Sequence, residues 1–297
     1  MKTPPPLKKG DPIGIVAPAK FVPQERYPEI LEFISQQGFE PVRGKTTYLE
    51  HGSFAGTDQA RLNDLQQMLD NTNLKALFCL RGGYGTIRII DQLNFQQFTE
   101  HPKWLIGFSD ITVLHAQLNN LGVESIHGQM PVHFNSGARG LRRLFSVLKG
   151  DPLSYQIEGH TLNKTGKASG ELIGGNLAIL ASLLGTPYAP KLAGKILFIE
   201  EVGEYLYRFD RMLYQLKLAG VLKNLKGLIV GGLSSMEDNF PSFGRNAEEL
   251  VFDLQKDYDY PVCFGFPSGH IENNQPLIFG REVVLKVTTS ETELNFK

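Results

Sequence analysis

The chain has 297 residues, with 30 basic and 31 acidic side chains, a formal charge of -1, and 41% hydrophobic and 21% charged residues. This is the composition of an ordinary globular protein, without the basic excess that nucleic acid or an anionic membrane would call for. No window approaches the ~18 uninterrupted apolar residues of a membrane span, and the opening "MKTPPPLKKGDPIGIVAPA" has no apolar signal segment.

In chain order, "DPIGIVAPA" predicts a first strand, short, apolar and bounded by Pro and Gly. Residues 23–38 predict a helix with Tyr27, Ile30, Leu31 and Ile34 on one face and Gly38 as its stop. "FEPVRG" reads as a weak second strand. "GTDQARLNDLQQMLDN" is a strong helix, with Thr57 as N-cap, Asp58 in its first turn and Leu62, Leu65 and Leu69 sharing a face. "LKALFCL" is a strand running into the glycine-rich turn "RGGYG", "WLIGFSD" another strand, "ITVLHAQLNNLG" a helix, "VESIHG" a strand and "SGARGLRRLFSVLKG" a closing helix. Continuous apolar strands alternating with helices imply a parallel sheet covered on both faces. That describes an N-terminal α/β domain over 1–150. The polar, turn-rich stretch 151–169 reads as a linker, and 170–297 as a second α/β domain. Within it "ELIGGNLAILASLLG" predicts a helix, "KILFIEEVGE" a strand, "YRFDRMLYQLKLAG" a helix and "LKGLIVGGL" a strand. "RNAEELVFDLQKDY" predicts a further helix, "YPVCFGFPSGH" a strand, and the tail "QPLIFGREVVLKVTTSETELNF" short strands in a hairpin-like ending. Cys79 and Cys263 each lie in an apolar run, as buried free thiols do, and a reducing, cytoplasmic setting suits them.

Ligands of α/β sheets gather at the carboxyl ends of strands, and three such ends carry polar residues. Ser109 follows "WLIGF", Glu200 and Glu201 follow "KILFI", and His270 follows "VCFGFPSG". A serine at a strand-to-helix turn can present its hydroxyl beside the next residue's amide, and an imidazole oriented by a carboxylate can activate it. His270 and Glu200 suit those roles. From position alone, helix capping by Ser109 or Asp110 is the more ordinary account of the same corner. The pattern is not G-x-S-x-G, since Ile111 stands where that motif has glycine. "RGGYG" lacks both G-x-G-x-x-G and a G-K-[ST] ending, which argues against a nucleotide. With no H-E-x-x-H, no C-x-x-C and no close His/Asp cluster, neither a metal nor a cofactor is expected.

Taken together, "GDPIGIVAPA", "AGTDQARLNDL", "RGGYGTIRIID", "IGFSDIT", "IHGQM", "LIGGNLAIL", "LFIEEVGEYLYRFDRML" and "GFPSGH", in this order from about Gly10 to Gly280, resemble the LD-carboxypeptidases, serine peptidases that include the microcin-immunity hydrolases. The resemblance implies an N-terminal α/β domain carrying the nucleophile and a C-terminal domain with a β-rich, barrel-like sheet carrying glutamate and histidine. It puts the nucleophile on Ser109, the base on His270 and the orienting carboxylate on Glu200, with Glu201 adjacent where many members have Asp. By analogy the amides of Asp110 and Gly83 form the oxyanion hole. Exopeptidase action also needs a group to hold the substrate's terminal carboxylate, for which Arg81 or nearby amides are candidates, a structural ion pair being the equal alternative for Arg81. The implied activity is metal-free removal of the terminal D-alanine from murein tetrapeptides, in the cytoplasm, by a homodimer whose partner is a small peptide or muropeptide. The alternatives are a microcin-immunity hydrolase acting on a peptide–nucleotide antibiotic and a non-catalytic peptide-binding module.

Overall fold

The computed structural model describes residues 1–134 and 138–297. It divides into two compact units, one of Met1–Asp151 with Glu272–Leu277, the other of Pro152–Ile271 with Ile278–Lys297.

The first unit alternates as the sequence suggests: β1 (Pro12–Val16), α1 (Tyr27–Gln36), β2 (Glu40–Arg43), α2 (Asp58–Asp70), β3 (Ala76–Cys79), α3 (Gln96–Glu100), β4 (Trp104–Gly107), α4 (Thr112–Asn120), β5 (Ser125–His127) and α5 (Ala138–Leu148). The closing helix is predicted from Ser136, but Ser136 and Gly137 lie outside the described residues. Strands β1 to β5 are parallel, in the order β5-β4-β3-β1-β2. Ile13, Ile15, Leu77, Phe78, Leu105 and Ile106 are all fully buried, as strands with helices on both faces must be. Phe33 of α1, Phe78 of β3 and Phe145 of α5 meet Phe134 in one aromatic cluster, with ring centroids 4.9–6.1 Å apart. These rings seat α1 and α5 on the sheet.

The second unit holds β6 (Ser154–Glu158), β7 (Gly166–Asn176), α6 (Leu177–Leu183), β8 (Ile196–Val202), α7 (Leu206–Leu218), β9 (Gly227–Ser234), α8 (Ala247–Gln255) and β10 (Val262–Cys263). After β11 (Leu277–Phe279), the edge strand of the six-stranded sheet, come β12 (Glu282–Val287) and β13 (Glu291–Phe296). The seven-stranded sheet runs β10-β9-β8-β7-β12-β13-β6, parallel from β7 to β10 and antiparallel from β7 through β12 and β13 to β6. An antiparallel bridge between Lys164 and Val262 returns edge strand β10 to the segment between β6 and β7, which curls this sheet toward closure.

Three readings of the sequence are corrected by the fold. The stretch 151–169 is not a linker, because it contains β6 and the start of β7. Among the described residues β6 pairs with β13 alone and buries little beyond Tyr155, so its composition looks like a loop's. The helix predicted from Glu171 begins only at Leu177, and "ELIGGN" is the end of β7. That strand pairs with β12 through Gly166–Glu171 and with β8 through Leu172–Asn176, partners more than twenty residues away. Such long-range pairing overrides a local period. The strand predicted over "YPVCFGFPSGH" shrinks to the two residues of β10.

Candidate active site

In the first unit the sheet order reverses direction between β1 and β3, and the loops that matter leave the carboxyl ends of β1, β3 and β4. Ser109 follows β4 with φ 65°, one of two residues other than glycine with positive φ among the described residues. An L-residue held there stores about 1 kcal/mol or more, which the surroundings must impose. They do so from three sides. Buried His115 of α4 donates from Nε2 to the Gly107 carbonyl (2.9 Å) and accepts the Ser125 hydroxyl at Nδ1 (2.8 Å), which fixes the end of β4. Asp110, 1% exposed, accepts the Thr86 amide at Oδ2 (2.8 Å), which ties the "RGGYG" turn to the serine corner. Gly82 lies directly on the serine: a Cβ at Gly82 would stand 2.9 Å from Ser109 Cβ and 3.1 Å from its Oγ, so only glycine allows this approach. Gly83, at φ 104°, faces the Lys20 side chain instead, whose Cδ would be 2.6 Å from an added Cβ. Arg81 donates from Nη1 to the Phe21 carbonyl (3.2 Å). Burial raises the Asp110 pKa above the ordinary carboxylate value, more than the Thr86 bond lowers it.

His115 carries a test of this corner. Burial pushes its pKa from 6.5 down to about 4, so the folded protein holds it neutral and unfolding lets it protonate. A depressed histidine contributes stability that is whole above the unfolded pKa and lost as pH falls toward the folded one. From pH 7.5 to pH 5 that loss is ~2 kcal/mol. Urea unfolding of the wild type and of His115→Gln at the two pH values should show the loss in the wild type and a shallower dependence in the variant. Equal slopes would contradict it.

Helix α2 supplies what the sequence did not flag. Asp64 accepts the amides of Lys45 (2.9 Å) and Thr46 (2.8 Å) and the Thr46 hydroxyl, and that hydroxyl accepts the Ala17 amide (3.0 Å). One turn earlier, Arg61 is fully buried and its Nη1 donates to the carbonyls of Pro18 (2.5 Å) and Gly85 (2.9 Å). Neither residue stands out in "AGTDQARLNDL", where both read as the polar face of an amphipathic helix.

In the second unit, Glu200 at the end of β8 is fully buried and accepts His270 at Oε2, from ring Nδ1 (2.6 Å) and from the backbone amide (3.2 Å). A proton held on Nδ1 leaves Nε2 of the neutral ring as an acceptor. The His270 ring keeps 21% of its surface exposed. Its loop is pinned to β9, where Gly232 N–H donates to the Ser268 carbonyl (2.9 Å) and the Ser234 hydroxyl to the His270 carbonyl (2.8 Å). Gly269, at φ 111°, lies on the glutamate, and a Cβ there would meet Glu200 Cβ at 2.7 Å. Glu201 turns elsewhere, accepting Asn176 Nδ2 (2.8 Å) and the Ala178 amide (2.7 Å) at the start of α6, and the amide of its own neighbour Val202 (2.9 Å). Burial raises its pKa above the usual carboxylate range despite these donors. A register shift in β8 between Ile199 and Glu201 accompanies the divergence of the two neighbours.

Residues 13–128 match the model of the LD-carboxypeptidase N-terminal domain, and residues 169–285 that of the C-terminal domain. The chain belongs to the LD-carboxypeptidase family. It is 36% identical to a probable murein peptide carboxypeptidase of Bacillus subtilis, over 89% of this chain and 85% of that one. With a murein tetrapeptide carboxypeptidase of Pseudomonas aeruginosa it shares 30% identity over 92% of each chain. Among solved structures it is similar to a muramoyltetrapeptide carboxypeptidase from Oxalobacter formigenes, at TM-score 0.88 and 29% identity, covering 96% and 98% of the two chains. The mixed α/β fold with a parallel N-terminal sheet is the LD-carboxypeptidase fold. Within each unit, Ser109, Asp110 and the Gly82–Gly83 turn form one group and Glu200 with His270 another. Of the two acidic neighbours, Glu200 is the one bonded to the imidazole. Among the described residues no three His, Cys, Asp or Glu are grouped to hold a metal ion, and no helix is long and apolar enough to cross a membrane.

Proposed function

We propose that this family member is a serine-type LD-carboxypeptidase that releases the terminal D-alanine of murein tetrapeptides, with Ser109 as nucleophile, His270 as base and Glu200 as its orienting carboxylate. The observation that carries the reading is Ser109 itself, an L-residue held at φ 65° at a strand end with a glycine turn packed on its hydroxyl. Strain of this kind gathers at sites of chemistry, and here it does the work of the absent G-x-S-x-G pattern.

In the proposed reaction Ser109 Oγ attacks the carbonyl carbon of the L,D-peptide bond while its proton passes to His270 Nε2. Glu200, buried against the ring, stabilises the imidazolium that forms. The tetrahedral oxyanion is met by backbone amides, that of Asp110 and one from the Gly82–Gly83 turn. His270 returns the proton to the departing amine, D-alanine leaves, and water repeats the sequence to free Ser109. Arg81, half-buried at the end of β3, is proposed to receive the substrate's terminal carboxylate. Action on recycled wall fragments in the cytoplasm, as a homodimer, completes the proposal.

Hydrolysis of a peptide–nucleotide conjugate is the sister reading. Between β8 and α7 the chain has only residues 203–205, which leaves no insertion there to stack a base. The deciding experiment offers the protein a murein tetrapeptide and an aminoacyl-sulfamoyl nucleoside in parallel, with products followed by mass spectrometry. D-Alanine from the first with the second intact is expected. The reverse would favour the sister reading, and both substrates intact after long incubation would favour a binding module.

A further inference from the structure

We infer that Arg61, together with the carboxylate of Asp110, is a positioning residue that sets the amide-bearing turn 82–86 against Ser109; this rests on reading Ser109 as the nucleophile. The turn is gripped at two adjacent residues from opposite sides. Arg61 Nη1 holds the Gly85 carbonyl (2.9 Å), and Asp110 Oδ2 holds the Thr86 amide (2.8 Å). The same Nη1 also holds the Pro18 carbonyl (2.5 Å), so the loops after β1 and β3 are fixed to one planar group. Nη2 is ion-paired with Asp58, whose carboxylate also receives Arg88 from Nε (2.8 Å) and Nη2 (2.6 Å). The Phe54 ring lies 4.9 Å from the guanidinium and 6.0 Å from the Tyr84 ring of the turn itself.

Stability alone is a poor reason for this arrangement. A fully buried guanidinium is costly to desolvate, and an apolar side chain of similar volume commonly does as well. What an apolar side chain cannot do is fix two carbonyls from different loops at defined directions. Lysine cannot either, because its ammonium is a point charge without the planar fork. The connection to chemistry is short: Arg61 holds Gly85, Thr86 is bonded to Asp110, and the Asp110 amide adjoins Ser109. Displacing the turn therefore displaces the candidate oxyanion donor at Gly82–Gly83 relative to the serine and to the Asp110 amide. A shift of ~1 Å can cost ~100-fold.

The test uses the full chain with Arg61→Lys, and with Asp110→Ala as a second variant that releases the other grip and removes a buried charge. Tetrapeptide turnover is measured beside the affinity of a boronic-acid analogue of the scissile residue. Its boron accepts an electron pair from Ser109 Oγ as the serine proton passes to the base, giving a tetrahedral anion that needs the same amides. Each variant is expected to lose ~10- to 100-fold in kcat with KM within about twofold, and to bind the boronate more weakly by the same factor. Faster hydrogen exchange of the amides at 83–86 should accompany the loss. Variants with kcat within threefold of wild type overturn the inference, as does a fall in activity that boronate affinity does not follow, the mark of a merely smaller folded fraction. If one variant fails to fold, the other decides by the same criteria. A wild type that neither turns over nor binds boronate would instead bring down the reading of Ser109, and this inference with it.

Discussion

Replacing Ser109 with alanine is expected to lower D-alanine release from a murein tetrapeptide by about 10⁴-fold or more, the scale on which loss of a serine nucleophile is felt. The fold should be unaffected, because alanine removes only a hydroxyl from a half-buried position and both residues carry the same backbone strain at φ 65°. Ser109→Gly separates strain from chemistry. Glycine populates the left-handed region freely, so this variant should be as inactive as the alanine one yet more stable than it by about 1 kcal/mol. Denaturant midpoints and tetrapeptide turnover of the two variants check both halves. Alanine retaining near-normal turnover would remove Ser109 from the mechanism, and glycine proving less stable than alanine would show that the corner is not strained.

The second large effect separates the two adjacent glutamates. Glu200→Gln keeps the volume of a side chain buried at 0% exposure but removes the charge facing His270 Nδ1. The imidazolium loses its partner and the tautomer is no longer imposed, so kcat should fall by ~100- to 10⁴-fold. Glu201→Gln alters a carboxylate bonded to Asn176 and Ala178 at the start of α6 and to Val202 at the end of β8. There the expected change is in stability, ~1–2 kcal/mol from donors left without a charged acceptor, with kcat within about threefold. Steady-state kinetics and urea unfolding of both variants read the contrast. Equal losses of activity would leave Glu200 without the orienting role.

Much of the architecture was legible in the sequence because its information is local. β1, β3 and β4 are short apolar runs ended by Gly, Pro or polar residues, and α2 opens on a threonine whose hydroxyl does accept the Ala60 amide. β6 and the first half of β7 were not legible, since their stability comes from β13 and β12 at the far end of the chain. The same division runs through the candidate site. Strand ends and residue chemistry single out Ser109, Glu200 and His270 as candidates from the sequence. Which glutamate meets the imidazole is a matter of how β8 is turned, and the register shift between Ile199 and Glu201 has no signature in residue spacing. Arg61 and Asp64 were hidden for another reason: a charged residue on an amphipathic helix is ordinarily solvated, and only the packing of two loops over α2 buries these. Gly82 was visible as part of a glycine pair, but its closeness to the serine was not.

The central claim is that the strained hydroxyl at the end of β4 is the nucleophile. Reaction of the intact protein with a fluorophosphonate, followed by peptide mass spectrometry, tests it most directly. The account predicts one covalent adduct, located on Ser109, that forms in step with the loss of D-alanine release. A modified, inactivated protein whose label lies on any other residue, or an active protein that never takes the label at Ser109, would contradict it.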